Sequence, residues 1–224
     1  MEGNILLIDK PKGMTSHDVV NIIRRQEDER RVGHAGTLDP LATGLLIVLV
    51  GRDATKRQSE FMGLPKVYEA DLTFGSVSDT YDAEGPITPS ATAEQLAQLD
   101  ESTIQGVLQQ FIGQIKQQPP KHSAIKIGGR PMYKKARAGT LQQEDVPERT
   151  VQIDSIEILS FSSAANGKPP TAQLRVRCQK GTYIRSLAHD IGQALGTGAY
   201  LSELRRTAIG EYSVDDAQII HNKE

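Results

Sequence analysis

Cysteine is all but missing from this chain: there is one, Cys178, in 224 residues. A lone thiol excludes an internal disulfide framework. The N-terminus starts acidic and leads into a strand-like stretch, so no secretory leader is expected and a reducing, cytoplasmic setting is. Long apolar runs are missing too. The longest, Leu45 to Val50, is strand-sized and far below the roughly 18 residues of a membrane-spanning helix, so no membrane partner is expected. The histidines His17, His34, His122, His189 and His221 show no metal-ligand spacing, and no pair of carboxylates joins them, so neither a metal nor another cofactor is expected. No phosphate-cradling P-loop occurs. Cys178 has no base beside it and reads as a small buried apolar residue. Nothing repeats at a fixed period, and no low-complexity stretch separates domains.

Net charge is small, at −2, which alone argues against a polyanionic partner. Its distribution argues the other way. From Lys121 to Arg137 there are six basic residues and no acid, and Lys168 to Arg206 adds seven against Asp190 and Glu203, while acids crowd Glu69 to Glu101. Such segregation fits a basic groove for phosphates on a nearly neutral protein, or a solvated helix face.

Within an ordinary globular composition, one stretch concentrates unusual features: Gly33 to Gly44, reading G-H-A-G-T-L-D-P-L-A-T-G. Pro40 forces Asp39 out of the α region, and three glycines allow positive φ or close backbone approach. A buried strand, Leu45 to Val50, follows at once. Read by residue type alone, Asp39-Pro40 is either a turn whose carboxylate bonds its own backbone or an acid presented on a rigid edge.

The stretch resembles, nearly letter for letter, the catalytic motif of the TruB type of pseudouridine synthases, whose members modify uridine 55 in the T loop of tRNA. Other segments share the resemblance: D-K-P-x-G-M-T-S-H-D near the N-terminus, S-D-T-Y-D-A-E-G, P-P-K-H-S-A-I-K, K-G-T-Y-I-R and L-R-R-T. The resemblance implies Asp39 as the catalytic residue, Tyr68 as the tyrosine that stacks on the target base, Arg185 as the cation paired with the catalytic aspartate, Tyr183 as a pocket residue, Leu204 as a wall of the uracil site, and His34 as the group filling the RNA loop where the base departed. By residue type alone, Tyr68, Tyr183 and Leu204 also suit a core. An arginine in the first turn of a helix, as at Arg185, opposes the helix dipole and calls for an acidic partner elsewhere.

Pattern and turn signals predict a strand over Asn4 to Ile8, a helix capped by Thr15 with Asp18 three residues on, a helix from Asp53 to Met62, and an alternating strand from Lys66 to Gly75 with Tyr68 on its core side. A loop should follow to Ser90, then helices near Ala93 to Leu99 and Ile104 to Ile112. Ser123 to Ile127 reads as a strand, Gly128-Gly129 as a hairpin turn and Pro131 as a helix start. Val151 to Phe161 and Thr171 to Gln179 read as a hairpin closed at Asn166-Gly167, followed by a helix to Leu195.

The expected architecture is α/β (α+β), a mixed, largely antiparallel central sheet flanked by helices, which the resemblance narrows to the pseudouridine synthase fold. One catalytic domain is expected over residues 1–224, with an RNA-gripping insert at about 113–140 and no full C-terminal RNA-binding module of the PUA type. Lys10, Lys126, Lys134, Lys135 and Arg137 are the candidates for RNA backbone contact, and Arg205 and Arg206 are expected beside the modified loop. The partner implied is the T arm of tRNA, met by a monomer with no obligate protein partner. A catalytically silent RNA-binding or RNA-folding module, or a synthase for another RNA, are the competing readings.

Overall fold

The computed structural model describes residues 3–220 except 124, 128 and 129, with backbone alone at 126, 127, 130, 131, 133, 134, 137 and 144. Strand β1 (Asn4–Lys10) leads through a proline-glycine turn to helix α1 (Ser16–Gln26). The helix opens with the expected capping box: the Asp18 amide donates to Thr15 Oγ1 at 3.1 Å, and the Thr15 amide donates to the Asp18 carboxylate at 2.9 Å. Its apolar stripe, Val19, Val20, Ile22 and Ile23, is buried with Ile8, Leu46 and Val48.

Strand β2 (Val32–Ala35) takes in the first residues of the glycine-rich stretch. It pairs antiparallel with β3 (Thr43–Val50). Alternate residues of β3 enter different clusters, Leu46, Val48 and Val50 on one side and Leu45, Ile47 and Leu49 with Phe61 on the other. That two-sided burial is why the strand reads as an unbroken apolar run. The next segment departs from the expected single helix. Gly51, at φ 86°, ends β3 by donating its amide to Arg31 O at 2.7 Å and becomes the N-cap itself. Asp53 therefore lies inside the first turn, paired with Lys56, and the chain breaks at Arg57 into α2 (Arg52–Lys56) and α3 (Gln58–Gly63).

Strand β4 (Lys66–Phe74) alternates as expected, with Lys66, Tyr68, Ala70 and Leu72 buried. The following stretch is not all loop, since β5 (Ser76–Ser78) and β6 (Ile87–Pro89) form a hairpin inside it. Helices α4 (Ala93–Ala97) and α5 (Glu101–Leu108) are both side-chain capped, by Thr92 and Asp100. Strand β7 (Gly113–Gln117), taken from the sequence as part of an insert, belongs instead to the sheet. The insert proper holds β8 (Lys126–Ile127), β9 (Arg130–Pro131) and α6 (Met132–Arg137). Its strand is shorter than expected and its helix starts one residue later, because Pro131 pairs with Lys126 in the small hairpin. The expected Gly128-Gly129 turn lies outside the described residues.

Strands β10 (Arg149–Ser162) and β11 (Thr171–Cys178) flank a tight turn in which Asn166 and Gly167 take φ of 51° and 74° and Ala165 bridges Lys168. Two positive φ values in succession are what Asn-Gly supplies to a hairpin turn. Helix α7 (Ile184–Ala194) follows, then β12 (Ala199–Ile209), β13 (Tyr212–Ser213) and β14 (Gln218–Ile219).

The result is a mixed α/β fold with a large, mostly antiparallel sheet. The chain clusters into two compact units, Met1–Glu69 with Val176–Lys180 and Leu204–Glu224, and Ala70–Arg175 with Gly181–Glu203. In the first, β14 lies parallel to β1, β1 and β2 are antiparallel to β3, and the end of β12 runs parallel to β3 with Arg205 opposite Thr43 and Arg206 opposite Gly44. In the second, β7 and β10 are antiparallel neighbours, and the insert holds a small core of Met132, Leu141 and Val146. Among the described residues, no helix is long and apolar enough to cross a membrane.

Candidate active site

Asp39 sits in the first unit on the irregular turn between β2 and β3, and the residues either side of it are pinned by the N-terminal motif. Ser16 Oγ accepts the Leu38 amide at 2.8 Å and donates to Leu38 O at 3.0 Å. The Gly13 amide donates to Pro40 O at 2.8 Å, and the Ala42 amide closes the turn onto Asp39 O at 3.1 Å. Leu38, Leu41 and Ala42 are buried, while Asp39 is half-buried. The carboxylate is thus held on a turn whose neighbours face the core.

Lys10 corrects the sequence expectation. Read as a surface group for phosphate, it has no exposed surface. Its Nζ donates to Met14 O at 2.7 Å, Pro11 O at 2.8 Å and Pro40 O at 3.5 Å. A buried ammonium needs such acceptors, and here they brace the turn that carries Asp39.

Tyr68 of β4 is buried in the same unit. Burial pushes its phenol above the ordinary tyrosine range; the charge of the Arg206 guanidinium opposes this, and the Asp39 charge adds a small upward push. Leu204 is also buried, and the Thr43 hydroxyl donates to its carbonyl at 3.4 Å. Leu204 and Arg206, two apart on β12, share a strand face, whereas Arg205 points the other way. Arg205 grips the Asp9 carboxylate with both amino groups, at 3.0 and 2.8 Å. Arg206, expected at the RNA surface, is 1% exposed.

His34 lies on β2, with its carbonyl accepting from Gln58 Nε2 at 2.7 Å. Burial first, then the charges of Arg206 and His17, hold its imidazole below the usual histidine range, and its buried Nδ1 has no hydrogen-bond partner among the described residues. It is therefore a neutral ring near neutral pH.

Tyr183 and Arg185 belong to the second unit. Tyr183 is the N-cap of α7 but offers no side-chain cap. Buried Gln117 takes over, its amide group donating to Tyr183 O at 3.0 Å and accepting the Tyr183 amide at 2.8 Å. Ser186 Oγ adds a bond to Gln118 O at 2.7 Å. Arg185 Nη1 pairs with Asp82 Oδ2 at 3.1 Å and reaches Thr80 O at 3.2 Å, while Nη2 reaches His122 O at 3.4 Å. Both charged side chains are buried, at 7% and 1% exposure. The dipole argument called for an acid but could not name it; Asp82, within S-D-T-Y-D-A-E-G, is such a partner.

Of the remaining candidates, Lys135 is half-buried on α6, and the side chains of Lys126, Lys134 and Arg137 lie outside the described residues. Among the described residues, no three His, Cys, Asp or Glu side chains stand close enough to share a metal ion.

Comparison with known proteins bears on the family. Residues 24–184 match the profile of the TruB family pseudouridylate synthase (N terminal domain), and residues 185–223 that of the tRNA pseudouridylate synthase B C-terminal domain. The chain is 45% identical over 213 residues to tRNA pseudouridine synthase B of Bordetella pertussis, covering 95% of this chain and 83% of that protein. It is 40% identical to the protein of that name from Corynebacterium diphtheriae, covering 100% and 73%. Among solved structures, a Cbf5-Nop10-Gar1 complex matches with a TM-score of 0.70 at 30% identity, over 97% of this chain and 52% of that one. The chain thus spans about half the length of that solved relative. The chain belongs to the TruB family of pseudouridylate synthases.

Proposed function

We propose that this tRNA pseudouridine synthase isomerises uridine 55 in the T loop, with Asp39 as the catalytic residue. One observation carries the reading: Asp39 sits on a turn fixed from both sides by Ser16, Gly13 and Lys10, in the same unit as the buried phenol that feels its charge. The reaction breaks the bond between ribose C1′ and uracil N1, turns the base, and joins C1′ to C5. The C5 proton leaves and N1 gains one, so nothing is oxidised or reduced. Asp39 serves either by attacking the sugar or by removing its C2′ proton.

The target base must leave its stack, at a cost of roughly a few kcal/mol, offset by stacking on Tyr68 and burial against Leu204. Tyr183 lines the pocket and His34 occupies the vacated place in the RNA loop. Arg185, held by Asp82, belongs to the catalytic set. Lys126, Lys134, Lys135 and Arg137 grip the RNA backbone. The protein works on the T arm as a monomer in the cytoplasm.

The test is Asp39→Asn on a T-arm stem-loop and on whole tRNA. The amide keeps the shape and loses the charge, so turnover should vanish while RNA binding and thermal stability stay as in the wild type. Turnover within tenfold of wild type would remove Asp39 from the chemistry and favour the silent RNA-binding reading. Loss of product at position 55 with product elsewhere in the RNA would move the substrate.

A further inference from the structure

We propose that Arg206 is a positioning residue that ties the Tyr68 phenol to the turn carrying Asp39, a role that rests on the reading of those two residues given above. Arg206 Nε donates to Leu45 O at 2.7 Å and Nη2 donates to Gly36 O at 3.0 Å. Gly36 precedes Asp39 and Leu45 follows it, so one planar guanidinium spans the entire catalytic turn from start to finish. Both ends of the turn are thereby fixed to one rigid fork, whose charge also acts on the Tyr68 phenol.

The backbone around it is shaped for this. Gly36 takes φ 97°, and a Cβ added there would stand 3.4 Å from Arg206 Nη1. Gly44 takes φ 98°, and a Cβ there would collide with the Arg206 backbone. Two of the motif's three glycines therefore lie against Arg206.

Space filling is a poor explanation for the residue. Arg206 is among the largest fully buried side chains, and among the described residues no carboxylate lies within ion-pair distance of it. A buried cation without a counter-charge is costly, and an apolar side chain of similar volume would pack at lower cost. What an apolar residue, or a lysine, cannot do is donate along several fixed directions in one plane. The uncompensated charge is also felt by Tyr68, His34 and Lys66, three groups on two strands around the turn.

The experiment is a double-mutant cycle of Arg206→Lys and Tyr68→Phe, read by single-turnover rate on a pre-folded T-arm stem-loop, with stem-loop Kd and thermal melting measured alongside. Arg206→Lys should slow the reaction at least about tenfold with Kd within about twofold. In the Tyr68→Phe background the same change should cost less than about threefold, because the hydroxyl it acts through is gone. Equal rates for Arg206→Lys and wild type, or penalties that multiply across the cycle, would overturn the proposal. Should Arg206→Lys fail to fold, the guanidinium NMR signals of Arg206 in folded Tyr68→Phe decide: a shift with faster water exchange supports the tie, and an unchanged spectrum sinks it. Asp39→Asn in the same assay separates the two ideas. If it stays active, the reading of the site is wrong; if it is dead while the cycle is multiplicative, only the role of Arg206 is.

Discussion

Arg185 and Asp82 form a buried pair, and its energetics follow from its surroundings. Removing one member leaves a charge in a site that water does not reach, which typically costs roughly 3–5 kcal/mol. Asp82→Ala should therefore lower unfolding free energy by about that amount in urea denaturation. A loss below about 1 kcal/mol would mean that other contacts of Arg185 carry the burial. Arg185→Lys is expected to stop turnover while RNA binding persists, because a point charge cannot reach Asp82, Thr80 O and His122 O at once. Single-turnover rates equal to wild type would refute that. Asp190, also on α7, makes a pH prediction. Burial raises its carboxyl from 3.8 to about 6. The folded state then holds the proton more tightly than the unfolded chain, so the stability linked to it is full below pH 4 and is lost as pH climbs to 6. Asp190→Asn should stabilise the protein at pH 7.5 and make no difference near pH 4, as urea melts at the two pH values would show. An Asn variant less stable than wild type at pH 7.5 would contradict the argument. Asp39 stood out in the sequence because Pro40 and three glycines single it out, whereas Asp82 and Gln117 did not, since their partners lie 103 and 66 residues away.

Where elements were legible, local chemistry and burial agreed. The capping box at Thr15, the apolar run of β3, the alternation of β4 and the Asn-Gly turn after β10 each follow from rules that act within a few residues. Among the strands that escaped, β7 and β12 pair with distant chain, β10 and β3, whereas β2 and the β5–β6 hairpin are short elements paired close by. β12 even carries Glu203, Arg205 and Arg206 around Leu204 along a strand with several buried positions, which destroys the hydrophobic pattern. Buried charge is the reason: Lys10 and Arg206 read as surface groups because sequence shows the charge and not the carbonyls that receive it. The N-cap gives an element-scale test. Thr15→Ala removes the oxygen that accepts the Asp18 amide and should cost about 1 kcal/mol. Because α1 also supplies Ser16 to the turn that carries Asp39, the single-turnover rate should fall as well; unchanged rate with the expected loss of stability would show that Ser16 holds its place without the cap.

Across the whole molecule, the proposed function makes the basic residues from Lys121 to Arg137 and the turn that carries Asp39 the groups expected to meet RNA. A T-arm stem-loop should thus react with kcat/KM within about tenfold of full-length tRNA, a gap of about 1.4 kcal/mol in transition-state binding. Replacing Lys134, Lys135 and Arg137 together by alanine should weaken both substrates alike and flatten the salt dependence by about two to three phosphate contacts. A hundredfold loss on trimming the tRNA would show instead that distant parts of it are read. The architecture around Arg206 carries a further implication for how the protein meets acid. Ion pairs come apart as falling pH discharges the carboxylate half, but backbone carbonyl oxygens take up no proton in that range. The guanidinium holds Gly36 O and Leu45 O, neither of which has an acid-labile charge. The turn that presents Asp39 therefore keeps its shape in acid for as long as the surrounding fold survives, and any acid loss of activity short of unfolding traces to the titration of other groups.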